Sequence, residues 1–98
     1  MPLYVTLIKL TDQGARTGKE SPKRAKETIP RIEKLLGGKT LQTLYTMGEY
    51  DMVVITEAKD DESAVAGSYA LSSAGNVRTT TLRAFTVEEM ERIASRLP

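Results

Sequence analysis

Residues 39–58 read KTLQTLYTMGEYDMVVITEA, and the fold turns on how they divide. Lys39–Met47 alternates apolar and polar side chains, Gly48-Glu49-Tyr50 carries turn chemistry, and Asp51–Ala58 (DMVVITEA) returns as a run rich in β-branched residues. Two such runs with so short a link make a β-hairpin. Upstream, Leu3–Leu10 (LYVTLIKL) is a third strand, apolar on both alternating faces and so expected to be covered on both. Residues 11–20 (TDQGARTGKE) read as a polar loop with two glycines. Ser21-Pro22 then gives an N-cap with Pro at the first helical position. Ala25, Ile29, Ile32 and Leu36 share one helical face, and Gly37-Gly38 stops the helix. Pro30 predicts a kink, at a cost of about 3 kcal/mol if nothing compensates.

Downstream, Asp60-Asp61-Glu62 loads the start of a second helix, Ser63–Ala74, with the charge its dipole favours. Its Ala, Gly and Ser content lets the backbone approach the sheet closely. Gly75-Asn76 ends it, and Val77–Phe85 (VRTTTLRAF) is a fourth strand. Thr86-Val87-Glu88-Glu89 is a capping box, with Phe85 and Met90 placed for a hydrophobic staple. A last helix is expected to turn Met90, Ile93, Ala94 and Leu97 inward. The order βαββαβ plus a C-terminal helix, with right-handed crossovers, predicts a single ferredoxin-like α+β domain over 1–98. Its four-stranded antiparallel sheet takes the order 4-1-3-2, with both main helices on one face. The other face then exposes apolar side chains of the central strands, so self-association through the sheet, as a homodimer or higher oligomer, is expected.

Composition narrows the chemistry. The 98 residues include no His, no Cys and no Trp, so disulfides, zinc fingers, thiolate nucleophiles and Ser-His-Asp triads are excluded. Acid–base work falls to Asp, Glu, Lys or Tyr, whose ordinary pKa values lie roughly three units from neutrality. No metal site and no cofactor are expected. A net charge of +1 gives no field to attract nucleic acid or anionic membrane, and no apolar run approaches a membrane span. A cytoplasmic location is the default reading. Segment 16–34 has seven Lys/Arg against three Glu, and segment 48–62 six acids against Lys59. Solvated faces explain both most simply.

The topology places the starts of strands three and four beside the finish of strand one. Tyr50, Asp51, Asn76, Arg78, Lys9 and Thr11 are therefore neighbours. Either they face a small polar ligand, or Asp51 fixes the hairpin and offsets nearby basic charge. Tyr45, Tyr69, Thr43 and Arg83 are candidates to line a cavity between sheet and helices, although core packing is the commoner fate of such tyrosines. Two motifs are set aside. Gly37-Gly38-Lys39-Thr40 imitates a phosphate loop but has Glu33 at the first glycine position and runs from helix to strand. The first strand suits an RNA-recognition motif, yet Met52–Thr56 offers no aromatic on which a base could stack.

Gly48-Glu49-Tyr50-Asp51, the strand Met52–Ile55 and Asp60-Asp61-Glu62 together resemble the signature of the GYD domain family. Gly75–Thr86, the opening Tyr4, Leu7 and Thr11–Gly14, and Ser21–Ala25 extend the resemblance to essentially the whole chain. Lys59 and Pro30 depart from its pattern. The resemblance implies a dimeric α/β barrel and lends no firm activity. Gly48–Asp51 and Gly75–Thr81 are also similar to the effector-sensing domain of leucine-responsive transcription regulators, which implies a stand-alone sensor or assembly module. The expectation is a non-enzymatic, homo-oligomeric module that binds a small ligand near Tyr50, Asp51, Asn76, Arg78 and Lys9. The alternative is a cofactor-independent monooxygenase or isomerase using a cavity behind the sheet, as several enzymes of that superfamily do.

Overall fold

The hairpin forms between β2 (Thr40–Tyr45) and β3 (Met52–Glu57), with a bulge between Thr40 and Gln42. β3 pairs antiparallel with β1 (Leu3–Leu10), whose other edge takes β4 (Val77–Ala84). A computed structural model describes all 98 residues, and its sheet order is β2-β3-β1-β4, the expected ferredoxin-like order read from the opposite edge.

Residues 11–20, expected as a loop, instead form a short helix α1 (Asp12–Arg16) and one turn of 3₁₀ helix (Gly18–Glu20). The Thr11 hydroxyl caps α1 by accepting from the Gly14 amide. This turn runs directly into α2 (Ser21–Leu36), so Glu20 is the N-cap and Ser21 is already helical. The Ser21 hydroxyl, expected as a cap, is buried and bonds the Tyr45 hydroxyl at 2.7 Å. α2 continues as one element through Pro30, which lies on the exposed side with Lys26, whose carbonyl can bond water in place of the missing amide. Gly37 closes α2 with a left-handed φ of 62°.

α3 (Asp61–Ser72) starts two residues earlier than the sequence suggested, because Asp60 caps it by accepting from the Ser63 amide at 2.8 Å. That bond holds the Asp60 carboxyl below its usual range. α2 and α3 pack together over one sheet face, where a Cβ on Gly67 would meet the Leu36 methyl at 2.8 Å. The tight core is small: Tyr4, Leu36, Ala58 and Ala64, with Ile32 packed beside them.

α4 (Val87–Ala94) corrects the sequence reading. Its capping box is present, with Thr86 and Glu89 bonding each other's amides. Its apolar stripe does not turn inward: Val87, Met90 and Leu97 are exposed, Leu97 by 67%, and the helix has no sustained packing against any other element. An amphipathic pattern specifies an apolar face, not the surface that covers it. The projecting helix contributes to extents of 51 × 29 × 17 Å. A compact chain of this size would expose about 5,500 Å²; this one exposes 6808 Å².

Candidate functional site

Directly paired residues point to the same face of a sheet, so the register sorts the side chains. Tyr4, Thr6 and Ile8 of β1, Met52, Val54 and Thr56 of β3, and Thr79, Thr81 and Arg83 of β4 share the face beneath the helices. The opposite face carries Leu3, Val5 and Leu7, then Val53, Ile55, Leu44 and Leu82. No element packs over this second face. Leu82 is 47% exposed and Leu44 is 44% exposed. Lys9 and Arg78 are paired across β1 and β4 at its edge.

The expected cluster comes together at the end of the sheet where β1 finishes, and most of its groups have internal partners. Asp51 donates its amide to the Ile8 carbonyl and accepts the Leu10 amide on Oδ2, both at 2.8 Å, while its carbonyl accepts from Thr46. The carboxylate thus supplies one more rung to the β1–β3 ladder after the backbone has turned away. Asn76 accepts from Thr11 on its carbonyl and from Gln13 on its side-chain oxygen, each at 3.0 Å. A Cβ on Gly14 would lie 2.1 Å from that Asn76 carbonyl oxygen, so only glycine permits this approach of α1 to β4. Lys9 pairs with Glu49 at 3.7 Å and lies over the Tyr50 ring. No ion pair joins Arg78 to Asp51; Lys9–Glu49 is the only pair within 4.0 Å.

The four proposed cavity residues separate. Thr43 faces a cavity of about 470 Å³ between the sheet and α2–α3. Tyr45 bonds Ser21, which lines it. Tyr69 is 75% exposed on α3. Arg83 lies at the far end of the sheet, its guanidinium over the Tyr4 and Phe85 rings.

At that far end the Tyr4 hydroxyl donates to the Asp61 carboxylate at 2.5 Å, tying β1 to the first turn of α3. Burial first, and then this bond, push the Tyr4 phenol up to about 12. Sequence spacing gave no sign of this pair, 57 positions apart, nor of Arg24, which enters the cavity wall from a stretch that reads as a solvated basic run.

A ferredoxin-like α+β domain with one covered and one bare sheet face, a polar clasp at one end and a cavity inside is the class that this geometry defines. The chain belongs to the GYD domain family, whose model matches residues 4–94. It is 34% identical over 90 residues to a protein of Thermus thermophilus named "Glutamine synthetase and cystathionine beta-lyase binding protein". That alignment covers 92% of this chain and 95% of the relative. No solved structure matches the chain. No helix is long and apolar enough to cross a membrane.

Proposed function

We propose that this chain is a non-enzymatic binding module that self-associates through its bare sheet face and engages enzymes as its partners. The single observation carrying this reading is the aliphatic face of Val5, Leu7, Val53, Ile55, Leu44 and Leu82 that no element of the chain covers. The whole chain's surface exceeds the compact expectation by roughly 1,300 Å², an excess that this face shares with the projecting α4, and a standard interface removes about 800 Å² from each partner. Lys9, Arg78 and Tyr50 form the polar rim of that face, and Asp51 and Asn76 hold the rim in place. A small ligand bound at this rim belongs to the same reading.

Enzymes as partners follow from the Thermus relative, whose name specifies binding to glutamine synthetase and cystathionine β-lyase. Behind the sheet, the alternative of a cofactor-independent oxygenase or isomerase has room. The cavity walls, however, carry no Asp or Glu, and Tyr4, with its pKa raised to about 12, is poorly placed to exchange protons near neutrality.

Light scattering tests the association: two or more chains per particle at micromolar concentration are expected, and a stable monomer removes the argument. Binding of purified glutamine synthetase and cystathionine β-lyase from the same organism to the immobilised protein tests the partners. Saturable binding to at least one is expected, and none to either rejects that part. Asp51→Asn and Arg78→Ala separate a rim ligand site from a structural clasp: loss of ligand binding without unfolding supports the site, and destabilisation alone supports the clasp.

A further inference from the structure

We infer that the cavity between the sheet and α2–α3 binds a small carboxylic acid with an apolar body, its carboxylate held by Arg24. At about 470 Å³ the cavity lies within the common range of small-molecule sites, roughly 300–1,000 Å³. Ile8, Ile29, Ile32, Met52, Val54 and Val77 supply apolar walls. The charged residues lining it are Arg24 and Arg31, both cations.

Arg24 is half-buried and fixed by neutral groups only. Nη1 donates to the Thr17 carbonyl at 3.0 Å and to the Thr17 hydroxyl at 2.8 Å, and Nη2 donates to the Gly14 carbonyl at 3.4 Å. These bonds take three of the five guanidinium hydrogens and leave Nε–H and one Nη2–H as donors that a carboxylate can accept. No acid within 4.0 Å neutralises the charge. A preorganised, uncompensated guanidinium beside a mostly aliphatic cavity favours a monoanion with an apolar body over a sugar or a free phosphate.

The inward threonines point the same way. Thr6, Thr43, Thr56 and Thr81 occupy sheet positions where aliphatic side chains would fill the space. Thr81 bonds Ser68 at 2.8 Å. No buried side-chain polar atom is left without a partner, so the hydroxyls that have no protein partner, such as that of Thr43, open onto solvent or the cavity. Thr6 and Thr81 are bonded within the protein, so it is the Thr43 hydroxyl that an entering ligand can bond.

Titration of the methyl-labelled full chain with sodium octanoate, followed by carbon–proton NMR, tests the proposal. Saturable shifts are expected at Ile8, Ile29 and Val54, with at least tenfold weaker binding to Arg24→Gln and partial recovery in Arg24→Lys. On the wild-type protein 1-octanol should bind at least tenfold more weakly than octanoate. Shifts confined to Val53, Ile55 and Leu82, no shift at millimolar octanoate, or equal binding of octanol overturns the proposal. Unchanged binding by a folded Arg24→Gln overturns it as well. If that variant does not fold, the octanoate-to-octanol ratio decides. The oligomeric state, read separately by light scattering, does not enter either outcome.

Discussion

Beneath the helices the strands present Tyr4, Thr6, Ile8, Met52, Val54, Thr56 and Thr81; on the opposite face they present Val5, Leu7, Val53, Ile55 and Leu82. The covered side thus carries three hydroxyl-bearing threonines, and the uncovered side is mainly aliphatic at its centre, with Thr80 beside Leu7 and Gln42 beside Ile55. In an antiparallel sheet with one solvated face the polarity ordinarily runs the other way. The inversion separates two tasks that a core usually combines. Tight packing is concentrated in the Tyr4–Leu36–Ala58–Ala64 cluster, with Ile8 and Met52 also buried, while part of the covered side encloses space and an aliphatic surface faces outward.

Three variants probe that contrast, from the largest expected effect to the smallest. Leu36→Ala, in the tight cluster against Gly67, should cost about 3 kcal/mol of folding stability in urea unfolding. A loss under 1 kcal/mol would mean that the covered side is loose throughout. Leu82→Glu combined with Leu44→Glu should leave circular dichroism unchanged and weaken self-association at least 100-fold, about 2.7 kcal/mol by light scattering. Unaltered association would move the interface off the bare face. Tyr4→Phe removes a hydrogen bond to a carboxylate and should cost about 1.5 kcal/mol near neutral pH. The folded phenol titrates at about 12, against an ordinary value of 10.0, so its contribution is complete below pH 10 and is lost as pH rises toward 12. The Tyr4→Phe stability curve should therefore be flatter over that interval, and an identical alkaline slope would show that neither burial nor Asp61 holds the folded phenol above its ordinary value.

Much of this architecture is legible in the chain because its signals are local. The Gly48–Tyr50 turn, the acidic start of α3 and the Thr86–Glu89 box each specify their element within a few residues, and the strand order follows from right-handed crossovers. The helix in residues 11–20 was hidden because five residues with an internal glycine carry no apolar period. Ser21 followed by Pro22 looks like a cap, but a preceding 3₁₀ turn and a hydroxyl partner 24 positions away give it another role. Alternation in a strand says which residues share a face; it does not say whether the helices above that face close upon it. The cavity and the place of Arg24 in its wall depend on that distance, and no spacing in the sequence encodes it.

The C-terminal helix has a thermodynamic consequence of its own. An isolated helix of α4's length is marginal in water, and its capping box only narrows the deficit. The free energy that would complete α4 is therefore available from any surface that covers Met90, Ile93 and Leu97. Amide exchange in α4 is expected to follow that cover and not global unfolding, slow when the helix is engaged and fast when it is free.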